Sequence, residues 1–389
     1  MHYTLHITSD CNLACHYCYV HKLQKKRMTL DTAKATLDRA AKRGENVGIA
    51  FFGGEPLLEK QLIYDTVAYG REVETREGCN FHFKITTNGL LLDDAFLSWC
   101  TDSRVMLALS IDGIQAAHNA HRRTAGGGDS YDIVESTAKR LLKYQPYACA
   151  MMVINPDTVQ YYADGVQKLH DLGFQYYICS LNYERDAAWT DAHMEELERQ
   201  FSRLSDMYVN WTLEEKKFYF SPFEVKMRSH IDGEGYCRER CQLGIRQLSV
   251  DTDGSLYPCV QFVEEAQYRL GDVFTGIDET LRRALYERSE STSGVCGECA
   301  IKARCNHHCG CLNKQATGDI NGVSPVLCAH ERLSLAAADR AAEALFAKGS
   351  RMFLQKQYND MYPLISLIED RSAPQKASIS GDIASGNAS

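Results

Sequence analysis

Up to about residue 185 the chain alternates between two periodicities, and this alternation limits its fold more than any other feature. Apolar or alternating runs occur at 2–8, 47–52, 81–86, 105–110, 147–154 and 175–180. Helical spacing fills the intervals, at 29–43, 60–76, 93–102, 131–144 and 157–171. In the first of these, Leu30, Ala33, Leu37 and Ala40 share a face, Thr29 is a suitable N-cap and Gly44 a stop. Six strands alternating with helices predict a parallel sheet with right-handed crossovers. That order fits an α/β barrel, open or closed, and also a flat doubly wound sheet.

Polar clusters follow every expected strand. They are Ser9-Asp10-Cys11, Gly53-Gly54-Glu55-Pro56, Thr87-Asn88-Gly89, Ile111-Asp112-Gly113, Asn155-Pro156 and Leu181-Asn182. Chemistry at the carboxyl ends of the strands is the habit of α/β folds in general. The barrel is the favoured reading: a partial (β/α)6 TIM-like barrel over residues 1–188.

A polar helical connector is expected over 189–235, where Glu195, Glu196, Glu198 and Arg203 crowd together. Residues 236–332 then hold nine of the chain's 16 cysteines, with Asp253-Gly254 as a hairpin turn. This reads as a second, metal-dependent domain. An Ala/Leu-rich helix and an apolar packing segment (362–368) occupy 333–370. Residues 371–389 have little to bury and read as a disordered tail.

Cysteine makes up about 4 % of the chain, too little for a disulfide scaffold. The first twenty residues carry His2, His6, Asp10, Cys11, Cys15 and Cys18, which no secretory signal would. The thiols are therefore expected in the reducing cytoplasm, as metal ligands or catalytic groups. No apolar run reaches membrane-spanning length. A net charge of −8 argues against non-specific nucleic-acid or anionic-membrane binding.

The sharpest local signal is Cys11-x3-Cys15-x2-Cys18. A four-iron cluster normally takes four thiolates, so three leave one iron open to a small chelating molecule. Two of the gaps would also suit zinc. Three further motifs follow in order: Gly53-Gly54-Glu55-Pro56, Thr87-Asn88-Gly89 and Ser110-Ile111-Asp112-Gly113. Together they resemble the radical S-adenosylmethionine (SAM) enzymes, over residues 1 to about 185. The resemblance implies a [4Fe-4S] cluster on Cys11, Cys15 and Cys18 that cleaves SAM to a 5′-deoxyadenosyl radical. It implies a SAM pocket bordered by Gly53, Gly54, Glu55, Pro56, Asn88, Ser110 and Asp112, with Arg122 on the SAM carboxylate. Arg123 is an equal candidate for that role.

The later cysteines read Cys241-x12-Gly254-x4-Cys259, then Cys296-x2-Cys299-x5-Cys305-x3-Cys309, then Cys328. This is similar to the SPASM domain, which carries two auxiliary iron–sulfur clusters. The family layout implies Cys237, Cys241, Cys259 and Cys309 on one cluster, and Cys296, Cys299, Cys305 and Cys328 on the other. That makes three [4Fe-4S] clusters in all; paired zinc ribbons are the competing reading. If Cys237 does not bind, one auxiliary iron stays open. Cys311 could replace Cys309. Cys79, Cys100, Cys149 and Cys179 read as small buried side chains. His307 and His308 could tune a cluster from its second shell. The basic stretch His16, His21, Lys22, Lys25, Lys26 and Arg27 is either a solvated face or a dock for flavodoxin or ferredoxin.

Radical SAM enzymes with SPASM domains mostly modify peptides or proteins. Sulfatase maturases resemble the chain in layout, but in them an Asp base follows the Tyr-Pro-Cys cysteine. Here Tyr257-Pro258-Cys259 is followed by Val260 and Gln261, and no catalytic base can be nominated. The expected function is maturation of a ribosomally made peptide, with thioether formation from a substrate cysteine as the first choice. Carbon–carbon crosslinking, epimerisation and sulfatase (formylglycine) maturation are the alternatives, and an electron carrier or zinc scaffold is the non-enzymatic one. Ten residues precede Cys11, too few for a leader-recognition domain, so the expectation is that either a separate leader-peptide-binding protein delivers the peptide or the barrel and SPASM domain bind it directly.

Overall fold

A computed structural model of the chain describes residues 1–20, 25–233, 242–291, 294–306 and 309–372. Its parallel strands are β1 (His2–Thr8), β2 (Asn46–Gly53), β3 (Asn80–Thr87), β4 (Met106–Ser110), β5 (Cys149–Ile154), β6 (Tyr176–Leu181) and the two-residue β7 (Tyr219–Phe220). Between them run α1 (Leu30–Ala41), α2 (Lys60–Glu77), α3 (Asp94–Asp102), α4 (Gln115–His121), α5 (Tyr131–Tyr144), α6 (Tyr162–Leu172) and α7 (Asp191–Leu213). Strands β1 to β7 neighbour one another in chain order and are parallel throughout. A doubly wound sheet needs a reversal of strand order, and there is none here. The result is a partial α/β barrel.

Local chemistry explains the elements. Thr29 caps α1 by accepting from Thr32 N, and Ala33, Leu37 and Ala40 are buried, with Leu30 half-buried. On β3, Phe81, Phe83 and Ile85 alternate inward, and Phe83 stacks on Phe51 of β2 at 6.0 Å. The helix expected over 157–171 is split. Pro156 opens a 3-10 turn (Pro156–Tyr161), and α6 begins at Tyr162. The expected polar connector is α7, whose Leu197, Phe201, Leu204, Tyr208 and Trp211 are buried. A high proportion of charged residues on one face concealed an apolar stripe on the other.

After α8 (Ser221–Asp232) come β8 (Gln247–Val250) and β9 (Ser255–Tyr257), the hairpin that Asp253-Gly254 announced. Strand β8 also pairs in parallel with β1, from His2↔Gln247 to Leu5↔Val250. With β10 (Gly271–Asp272) and β11 (Gly276–Ile277) the sheet has eleven strands, ordered β11-β10-β9-β8-β1-β2-β3-β4-β5-β6-β7. Hydrogen bonding therefore continues across the boundary expected near 236. The remaining helices among the described residues are α9 (Glu279–Glu290), α10 (Gly294–Gly297), α11 (Gly310–Thr317), α12 (Pro325–Ala347), α13 (Arg351–Tyr358) and α14 (Tyr362–Ser372). Helix α12 starts eight residues before the expected 333, because Ser324 caps it and Pro325 fits its first turn, so Cys328 is helical. Helix α14 returns to the barrel's amino-terminal end, where Lys217 Nζ reaches Asp370 at 2.6 Å; Leu364, Ile365, Leu367 and Ile368 remain exposed. No helix among the described residues is long and apolar enough to cross a membrane. Arg371 and Ser372, expected to begin a disordered tail, instead end α14; the rest of the expected tail, from 373 onward, lies outside the described residues, as do Cys237, Cys241, His21, Lys22, His307 and His308.

Candidate active site

The loop after β1 carries Cys11, Cys15 and Cys18, all half-buried. Backbone bonds tie this loop to its neighbours on several sides. Gly54 N donates to Thr8 O at 2.7 Å and Glu55 N to Asp10 O at 2.8 Å. On the far side, Ala14 N donates to Arg123 O at 2.8 Å and His16 N to His121 O at 3.1 Å. A Cβ at Gly53 would overlap the carbonyl oxygen of Thr8, and one at Gly54 that of Asp10. Gly53 also has φ +120°, which side chains avoid.

Glu55 is buried and latches β2 to β3. Its carboxylate accepts from Leu57 N at 3.0 Å, Thr87 Oγ1 at 2.7 Å and Asn88 N at 2.8 Å. Burial raises its pKa, and these three bonds oppose the rise. Asn88 Nδ2 in turn donates to Asn12 Oδ1 at 2.7 Å and lies 3.8 Å from Cys11 Sγ. Pro56 starts the short 3-10 turn that leads into α2. Ser110 ends β4, half-buried and in register with Met151.

Asp112 is a hub. It accepts from Tyr17 Oη at 2.7 Å, Val153 N at 3.0 Å and both Nε and Nη2 of Arg122. Burial alone would raise its carboxyl pKa, but the Arg122 charge and hydrogen bonds hold it below the usual value. Arg122 is thus occupied within the protein, whereas Arg123 pairs with the exposed Asp129.

The later cysteines gather in two places. Cys296, Cys299, Cys305 and Cys328 border one small cavity of about 60 Å³. At its edge the buried Glu331 pairs with Lys226 and accepts from Asn306 N at 2.9 Å. Cys309 Sγ lies 3.2 Å from Cys311 Sγ. The Cys311 side chain also bonds Cys259, which holds the Cys259 thiol below its usual pKa and raises Cys311. Tyr19 is half-buried between the first cysteine loop and Cys259, and desolvation of its phenol, followed by Cys259, Cys18 and Cys311, raises its pKa. Among the described residues, no three His, Cys, Asp or Glu side chains are grouped for a single metal ion. Cys79 and Cys100 are buried, as expected, while Cys149 and Cys179 are half-buried. Each described cation of the basic stretch that follows the cysteine loop meets an acid: Lys25 with Asp10, Lys26 with Glu264, Arg27 with Glu59.

A cavity of about 1170 Å³ opens at the carboxyl ends of the strands. Cys18 and Tyr19 line one side, Asn155 and Asn182 another, and Gln261 and Lys314 a third. Of these, Asn155 and Asn182 were visible in the sequence only as strand-end polar residues with no assigned role.

Residues 5–169, the strands and loops just described, match the family model of the Radical SAM superfamily. That stretch is a radical SAM domain. The radical SAM domain brings SAM and a [4Fe-4S] cluster as its cofactors, and the protein is an enzyme. The chain is 22 % identical over 315 residues to a cysteine-type anaerobic sulfatase-maturating enzyme of Clostridium perfringens (strain 13 / Type A), covering 77 % of this chain and 83 % of that one. It is 23 % identical over 337 residues to a serine-type enzyme of Bacteroides thetaiotaomicron, covering 77 % and 80 %. Among solved structures, native anSMEcpe with bound AdoMet has a TM-score of 0.73 at 18 % identity, covering 92 % of this chain and 100 % of that one. Streptococcus suis SuiB bound to its precursor peptide SuiA has a TM-score of 0.61 at 14 % identity, covering 84 % and 75 %. These likenesses establish a shared fold.

Proposed function

We propose that this radical SAM enzyme matures a ribosomally made peptide. The observation that carries this reading is the cavity of about 1170 Å³, because the first cysteine loop and the segment just after Cys259 line it together. A small cofactor leaves such a volume part empty, and a peptide segment would fill the rest.

Cys11, Cys15 and Cys18 would hold the SAM-binding cluster, since three half-buried thiols stand on one braced loop beside a glycine cradle. When bound, cluster and SAM supply a 5′-deoxyadenosyl radical that takes a hydrogen atom from the substrate. The protein's own groups position. Gly53, Gly54, Pro56, Asn88 and Ser110 border the pocket, while Glu55 fixes the β2 and β3 loops against each other. Asp112 and Arg122 steady Tyr17 and through it the cysteine loop. Arg123, held only by an exposed pair with Asp129, is the cation we assign to the SAM carboxylate.

Two auxiliary [4Fe-4S] clusters are part of the proposal. Cys296, Cys299, Cys305 and Cys328 would hold one, and Cys237, Cys241, Cys259 and Cys309 the other, with Cys311 the alternate ligand beside Cys309. The 2 × 4 layout divides 236–332 into a cluster region distinct in chemistry from the barrel of 1–188. An acidic electron donor of the flavodoxin or ferredoxin class would supply reducing electrons.

The bond we assign is a thioether from a substrate cysteine to carbon. Formylglycine formation is the second reading, favoured by the likeness to sulfatase maturases over 77 % of the chain. It is disfavoured by Val260 standing where those enzymes are expected to carry an Asp base. The test is anaerobic incubation with SAM, reductant and Cys-containing peptides encoded by the same genome. A loss of two hydrogens in mass supports the thioether. An unchanged mass in water with a one-unit gain in D2O indicates epimerisation, and absence of any 5′-deoxyadenosine refutes the enzyme reading.

A further inference from the structure

We propose that His121 and Asn155 form a two-point site for the main chain of an extended peptide, on the wall of the barrel-mouth cavity. The inference rests on the peptide reading above and specifies how the substrate is held.

Hydrogen-bond accounting carries it. His121 is 8 % exposed, and its Nε2 lies 2.9 Å from Asp157 Oδ1. A carboxylate only accepts, so Nε2 carries a proton, and in the neutral ring Nδ1 keeps its lone pair. That Nδ1 is buried and has no partner. Asn155 is 2 % exposed. Its neighbour Asn182 is oriented by the main chain, because Asn182 Oδ1 accepts from Glu184 N at 3.0 Å. Asn182 Nδ2 therefore faces Asn155 and donates to Asn155 Oδ1 at 2.9 Å. Asn155 is left presenting Nδ2, a donor, which is also buried and has no partner. Both residues line the cavity, and Asp157, which holds His121, is two residues from Asn155.

Buried polar groups are nearly always paired. One acceptor and one donor without partners, on one wall, call for a ligand offering a donor and an acceptor on one side. A residue in an extended chain does this: its N–H and C=O point the same way, as in a hydrogen-bonded pair of an antiparallel ladder. The adenine edge offers the same pattern through its amino group and a ring nitrogen. We assign the site to the peptide because it lines the same cavity as Gln261 and Lys314 of the cysteine-rich region, where a chain longer than one cofactor can extend.

The test uses the cluster-loaded full-length enzyme and a peptide that the wild type converts. His121→Phe removes the acceptor and keeps a ring. Asn155→Asp removes the donor and keeps the bond from Asn182. Each is expected to raise KM for the peptide about tenfold, the size of one lost hydrogen bond, with kcat within about threefold. SAM affinity, measured by equilibrium dialysis on the oxidised enzyme, stays unchanged. An ester scan of the peptide, replacing N–H by O one position at a time, should find one position that weakens binding to the wild type but not to His121→Phe. A merely structural role for His121 would leave the ester effect equal in both. Unchanged KM in both variants, or equal ester effects, overturns the site. A fall in SAM affinity at constant KM overturns it in favour of the adenine edge. A wild type that converts no peptide refutes the peptide reading and the site with it, whereas conversion with unaltered KM sinks the site alone. If His121→Phe does not fold, Asn155→Asp decides.

Discussion

Arg122 grips Asp112 with two nitrogens, Nε to Oδ2 at 2.8 Å and Nη2 to Oδ1 at 3.1 Å, and both side chains are almost fully buried. The same Asp112 Oδ2 accepts from Tyr17, the residue before Cys18. An ion pair four strands along the sheet from β8 therefore stiffens the loop that carries the first cysteine set.

Arg122→Met should destabilise the fold by about 3–5 kcal/mol, because it strands a buried carboxylate. Adding Asp112→Asn should restore a large part of that loss by removing the stranded charge. Urea midpoints of the two variants check this, and equal midpoints would contradict it.

Gly54→Ala should leave far-UV circular dichroism unchanged while lowering iron by about four per chain, the content of one cluster. The cause is steric, since the new Cβ would collide with Asp10 O one residue before Cys11. An unchanged iron count after anaerobic reconstitution would show that the turn yields without moving the thiols.

Wild-type enzyme should take up about twelve irons per chain, and Cys296→Ala or Cys328→Ala about eight. Cys311→Ser separates two readings of its sulfur, which sits 3.2 Å from Cys309. A spare thiol leaves the cluster's electron paramagnetic resonance signal in place; a ligand shifts it. Cys237→Ala asks the same question of the residue outside the described structure. Stoichiometric zinc instead of iron would overturn the cluster assignments altogether.

Acid should weaken the fold well above the carboxylate range. Burial lowers the pKa of His6 and of His118 to about 4 from 6.5. Between those values the unfolded chain binds protons that the folded chain does not, so stability falls as pH drops from about 6.5 to about 4. Each histidine contributes at most about 3 kcal/mol over that window. His118 Nδ1 accepts from Asp112 N at 3.2 Å, and a protonated ring would lose that bond. A thermal midpoint that is flat from pH 7 to pH 4.5 would contradict the expectation, and His118→Asn should reduce the slope.

Much of the barrel was legible because its signals are local. Thr29 caps its helix by the expected bond, and Tyr131–Tyr144 is helical over the expected residues. Cys296, Cys299, Cys305 and Cys328, grouped by the resemblance to the SPASM layout, border one cavity. What was not legible depends on distant parts of the chain. Strand β7 has two residues, too few to show a period, and exists because β6 offers it an edge. The apolar stripe of α7 was masked by its charged face. No pattern in the sequence says that Arg122 would turn to Asp112, or that His121 and Asn155 would each keep one buried atom without a partner. Those facts follow from which groups the fold leaves facing one another.

The parallel pairing of β8 with β1 makes the two halves of the enzyme hard to separate. A fragment ending near residue 235 would expose the main-chain edge of β1, on the very strand that delivers Cys11, and an open strand edge invites pairing with other chains. Exchanging the cysteine-rich half for that of a relative would need a graft that keeps the register from His2↔Gln247 to Leu5↔Val250. In this protein the seam between the radical chemistry and the cysteine-rich region is a row of hydrogen bonds, and recombination has to respect it as it would any strand in a core.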